Sequence, residues 1–77
     1  MVAEENVKSL VRTCNRDFKS LNIPLSFRLY GRRVNHYSFS LNKGNKCICI
    51  HSFNGAPDAF KAICMIRDSI IYVKESL

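Results

Sequence analysis

Between Ser26 and His51, apolar and polar residues alternate nearly one for one; on either side of that stretch they recur at helical spacing. A period of two sends alternate side chains to opposite faces of a strand, whereas a period near 3.6 gathers them on one side of a helix. The period changes twice within 77 residues, so the chain reads as strands flanked in sequence by two helices.

Val7, Leu10, Val11, Cys14, Phe18 and Leu21 form the apolar stripe of the first helix. Glu4 and Glu5 suit its positive end. Pro24 pushes Ile23 into extended geometry, so this helix ends between Ser20 and Asn22. The second helix follows the loop Asn54-Gly55-Ala56-Pro57, with Pro57 as its first residue and Asp58 in its first turn. Ala59, Ile63, Ile66, Ile70, Val73 and Leu77 form its main stripe. Phe60, Cys64 and Ile71 lie beside that stripe, and Met65 and Tyr72 lie further round. One sheet contact does not need that much apolar surface. Met65, Ile71 and Tyr72 are therefore candidate interface residues.

In the middle, Phe27 and Leu29 alternate with Ser26, Arg28 and Tyr30, and Tyr37, Phe39 and Leu41 alternate with Ser38 and Ser40. Ile48 and Ile50 alternate with Cys47, Cys49 and His51. Alternation of this kind means a sheet with one covered face and one open face. A turn with Lys43-Gly44 at its tip predicts Leu41 opposite Lys46, Phe39 opposite Ile48 and Tyr37 opposite Ile50. That register puts every large apolar residue on one face and sets His36 opposite His51 on the other. The first hairpin turns through Gly31-Arg32-Arg33-Val34 and is expected to bring Leu29 opposite Tyr37. The expected fold is α+β in the order α-β-β-β-α: a three-stranded antiparallel sheet with both helices packed on its one apolar face, in a single domain spanning 1–77.

Several function classes are unsupported by the residues. No apolar run approaches the ~18 residues of a membrane span. Met1 to Leu21 lacks the continuous apolar core of a secretory signal. The four cysteines, Cys14, Cys47, Cys49 and Cys64, are accordingly expected as reduced thiols in a cytoplasm. Cys47-x-Cys49-x-His51 invites a zinc reading, but alternate side chains on one strand stand about 6.6 Å apart, too far for all three to converge on one ion. The same spacing keeps the Cys49 sulfur from the His51 ring as a nucleophile–base pair. Gly31, Gly44 and Gly55 are isolated turn glycines rather than a phosphate loop. No cofactor and no catalysis are expected.

What the sequence offers is charge. Twelve basic residues face six acidic ones, for a net charge of +6. Such a balance favours polyanions, RNA or DNA, or an acidic protein surface. Lys8, Arg12, Arg16 and Lys19 follow one another at steps of four, four and three and share a flank of the first helix. Arg32 and Arg33 sit at one hairpin tip, and Lys43 and Lys46 at the other. Arg28, Tyr30 and His36 fall on the open sheet face, where rings can stack and Arg can meet a phosphate. Two adjacent histidines, His36 and His51, would make binding there pH-sensitive.

The α-β-β-β-α order over this length is similar to that of a double-stranded-RNA-binding domain. That family contacts its duplex with the first helix, the first hairpin loop and the start of the second helix. The first two are basic here. The second helix opens on Ala56-Pro57-Asp58-Ala59 in place of a lysine cluster, and the loop Gly31-Arg32-Arg33-Val34-Asn35-His36 departs from the family's Gly-Pro-x-His pattern. The resemblance is therefore one of topology. The expectation is a non-catalytic binding protein that meets phosphates through Lys8, Arg12, Arg16, Lys19, Arg32 and Arg33, with Arg28, Tyr30 and His36 adding contacts. The alternative is a protein-binding regulator, an inhibitor or adaptor. It could be a homodimer, and would act through the second helix or the open sheet face.

Overall fold

A computed structural model describes residues 4–33 and 36–76, with the side chains of residues 31–33 outside the description. Helix α1 spans Glu4–Ser20. Strands β1 (Ser26–Arg33), β2 (His36–Lys43) and β3 (Lys46–Asn54) follow, and helix α2 (Ala56–Ser76) closes the chain. The sheet is antiparallel in the order β1-β2-β3. The fold is the expected α+β arrangement, with α2 beginning one residue before Pro57.

Helix α1 stops as its sequence dictates. Asn22 takes a left-handed conformation (φ 59°). Its N–H donates to the Lys19 carbonyl at 3.2 Å, and the Ile23 N–H donates to the Phe18 carbonyl at 2.8 Å. This pair of bonds is a Schellman motif, which satisfies the last helical carbonyls and brings two apolar side chains together. Both of those side chains, Phe18 and Ile23, are buried.

The core lies between the helices and one sheet face. Val7, Val11, Cys14 and Phe18 come from α1, Phe27 from β1, Tyr37, Phe39 and Leu41 from β2, and Ala56, Ala59 and Ile63 from α2. A row of rings crosses it from helix to far strand: Phe18 to Phe27 at 5.7 Å, Phe27 to Phe39 at 5.8 Å, and Phe39 to Phe53 at 5.7 Å. Burial fades along that row. Phe18, Phe27 and Phe39 are buried, whereas Phe53 is only half-buried.

The register differs from the one expected, for two physical reasons. The first is the turn. Lys43 pairs with Lys46, so the tip is Gly44-Asn45, with Gly44 at φ 61°. A positive φ at the first tip position is what a type II′ turn requires, and glycine provides it without strain. The second is a bulge. Asn42 pairs with Cys47 but Leu41 pairs with Cys49, leaving Ile48 as the extra residue.

The turn alone would have kept Ile48 and Ile50 on the covered face. The bulge instead brings Cys49, His51 and Phe53 there, opposite Leu41, Phe39 and Tyr37. The exchange gains the Phe39–Phe53 stack, with ring planes 10° apart. It leaves Ile48 and Ile50 51% and 63% exposed. The first hairpin slides by two residues, so Leu29 pairs with Phe39 and the faces of β1 are kept.

Candidate nucleic-acid interface

Lys8, Arg12, Arg16 and Lys19 are all exposed on α1, while the alternating Val7, Val11, Cys14 and Phe18 are buried. From Lys8 to Lys19 the flank runs about 16 Å along the helix axis at ~1.5 Å per residue. Among the described residues the ion pair is Arg67–Asp68 at 3.0 Å; none of the four flank cations is paired with an acid.

The position of this flank is set by Asn15. Its Nδ2 donates to the Phe27 carbonyl at 3.0 Å, and its Oδ1 accepts from the Phe27 N–H at 2.7 Å. One side-chain amide thus imitates a neighbouring strand against the outer edge of β1. Residues 8, 12, 15 and 19 share a helix flank at steps of four, three and four. Lys8, Arg12 and Lys19 therefore stand on the β1 side of α1. The other side of α1 meets α2, where Phe60 lines a shallow groove with Asn6, Ser9, Leu10 and Thr13.

Arg28 and Tyr30 lie on the open sheet face beside this edge. The Arg28 guanidinium sits 5.7 Å from the Tyr30 ring centroid. Tyr30 is 42% exposed, and its hydroxyl accepts from the Ser40 Oγ at 3.3 Å. Ser40 also accepts from the Asn42 Nδ2 at 3.1 Å, which explains how a polar residue with no solvent exposure is satisfied there.

His36 lies at the far end of the face. Its Nδ1 is 3.2 Å from the Asn54 Oδ1, and its Nε2 is 3.4 Å from the Ser38 Oγ. The expected His36–His51 pair does not form, because the bulge carries His51 to the opposite face, 5.6 Å from the Phe39 ring centroid. The Arg32 and Arg33 side chains lie outside the described residues.

The bulge also separates the cysteine–histidine cluster. Cys47 pairs with Asn42 on the open face, and Cys49 and His51 lie on the covered one. Among the described residues no group of three metal-ligating side chains gathers. Cys14 is fully buried, and burial pushes its thiol pKa up, with the nearby Arg67 pulling weakly the other way. Of the three candidate interface residues on α2, Met65 and Tyr72 are 60% and 73% exposed, while Ile71 is half-buried against the core.

Asn15 was not singled out from the sequence. Its signal is a neutral amide beside the buried stripe, between Cys14 and Phe18, where a solvated residue would serve equally well unless the amide had something to bind. Comparison with protein-family models, curated proteins and solved structures returned no match.

Proposed function

We propose that this chain is a non-catalytic binding protein that associates with nucleic acid through the β1-side flank of α1. Lys8, Arg12, Arg16 and Lys19 meet backbone phosphates. Arg28, at the margin of that flank, adds a further cation, and Tyr30 offers a ring on which a base can stack. Arg32 and Arg33, on the strand that borders the flank, extend the same reading, and His36 lies at its outer limit.

One observation carries this reading: four flank cations are exposed, and among the described residues none of them forms an ion pair. Glu4 and Glu5 lie one turn before Lys8, and Asp17 lies beside Arg16, yet among the described residues none of them pairs with a flank cation. An unpaired row is suited to a ligand that brings its own regularly spaced negative charge.

The test is binding of labelled double-stranded RNA, single-stranded RNA and duplex DNA to the wild-type chain and to Arg12→Glu/Arg16→Glu. The double reversal is expected to weaken binding by at least about tenfold for whichever polymer binds best. Unchanged binding would remove this flank from the account. Both positions are exposed, so folding is expected to change by no more than about 0.5 kcal/mol.

A further inference from the structure

Among the described residues, the outer edge of β3 is an open sheet edge. β3 pairs with β2 alone among the described residues. Among the described residues its outer edge faces no second strand, and no side chain from another element holds its backbone as Asn15 holds that of Phe27; the Cys47 Sγ, from β3 itself, lies 3.7 Å from the Cys49 carbonyl. Edge strands are ordinarily blunted by charge, proline, bulges or a covering element. Here Lys46 and the bulge at Ile48 guard one end only. The six residues Cys49–Asn54 carry no formal charge and no proline.

Both faces next to this edge are underfilled. On the open face Ile48 and Ile50 are 51% and 63% exposed. On the covered face His51 is exposed, and Cys49 and Phe53 are half-buried, although the helices lie on that side. The α2 flank turned away from α1 matches this edge. Ala62, Met65, Ser69 and Tyr72 follow one another at steps of three, four and three, with Ile66 and Val73 beside them, and none of the six is charged. In a chain of net charge +6, Cys49–Asn54 and the named α2 residues carry no cation, and Lys46 and Lys61 lie at the margins of this surface.

We propose that the chain forms a two-fold dimer through the outer edge of β3. An antiparallel strand pair is self-complementary under a two-fold axis, because each donor on one copy faces the matching acceptor on the other. The sheet continues into six strands, and all four helices lie on one face. The α2 flanks meet beside the new strand pair and cover Cys49, His51 and Phe53. The nine residues of β3 give an edge about 30 Å long at ~3.3 Å per residue, and the molecule's shortest dimension is 16 Å. Such a strip hides about 500 Å² on each copy, or about 1,000 Å² in all, the lower limit for a specific interface. The dimer stands apart from the nucleic-acid reading, since the α1 flanks lie at its two outer ends.

The experiment is sedimentation equilibrium on the whole chain at up to about 500 µM, with amide hydrogen exchange at the same concentrations. The expected result is a species of twice the 8.8 kDa chain mass. Alternate amides within Cys49–Asn54 become protected as the dimer forms. Ile50→Lys and Val73→Glu, both at exposed positions, each weaken self-association by about tenfold or more, while Arg12→Glu leaves it unchanged. A monomer throughout the range overturns the proposal. So does a dimer whose Cys49–Asn54 amides stay unprotected, or one that neither variant weakens.

Discussion

At the β1 edge, Asn15 holds the backbone of Phe27 from 2.7 and 3.0 Å, and unpaired cations line the helix above it. At the β3 edge no side chain from another element takes that place among the described residues, the adjoining isoleucines face water, and the helix flank above carries no cation from Ala62 to Val73. The first edge has the backbone of Phe27 satisfied internally and lies beside a row of cations, so it is suited to a polyanion and less suited to strand addition at that point. The second presents free backbone and apolar surface and is suited to another strand. One three-stranded sheet thus carries two edges with opposite chemistry. The difference comes from a single amide on α1 and a single extra residue in β3.

The largest expected effect lies in the aromatic row that joins the two edges. Phe27→Ala removes a buried ring and is expected to cost about 3–5 kcal/mol. Stability of a domain this size is about 4–11 kcal/mol, so that variant approaches the unfolding limit. Phe53→Ala, at the uncovered end of the row, is expected to cost less than half as much, because its ring is only half-buried in the monomer. Urea denaturation of the two variants under the same conditions measures the gap. Equal costs would mean that the β3 edge is as well covered as the β1 edge.

Asn15→Ala comes next. It strips both partners from the Phe27 backbone at a part-buried site and is expected to cost about 1–2 kcal/mol. It also uncaps the β1 edge. Faster exchange of the Phe27 amide, with the other core amides unchanged, would locate the loss there.

Much of this architecture was legible in the sequence, and the parts that were not have identifiable causes. Periodicity located all five elements, and Pro24 marked the end of α1, whereas the left-handed turn at Asn22 came only from the structure. The faces of β1 and β2 followed from Phe27, Leu29, Tyr37, Phe39 and Leu41. The face of β3 did not follow. Ending the strand at His51 left Phe53 out of the alternation, and Ile48 and Ile50 then claimed the covered side. A bulge costs one unpaired residue and leaves no local mark, so only the tertiary gain at Phe53 reveals it. The basic flank of α1 was visible as spacing. Its orientation toward β1 was not, because that depends on the long-range contact of Asn15.

The smallest expected effect concerns pH. Burial raises the Cys14 pKa above its ordinary 9.0, so in the alkaline range the folded chain keeps a proton that the unfolded chain releases. The contribution to stability is fully present below about pH 9 and is lost as pH rises further. Denaturation at about pH 8 and about pH 10 should show a decline that is shallower in Cys14→Ala. An identical decline in both proteins would assign it to other groups.

The most direct test of the account is the salt dependence of nucleic-acid binding by the wild-type chain beside Arg12→Glu/Arg16→Glu. Each neutralised phosphate contributes about −0.9 to the slope of log affinity against log salt on a duplex. The four flank cations predict a wild-type slope near −3 to −4, with the double variant shallower by about two. A wild-type slope near zero, or one the double variant leaves unchanged, would contradict the assignment of the β1-side flank as the phosphate-binding surface.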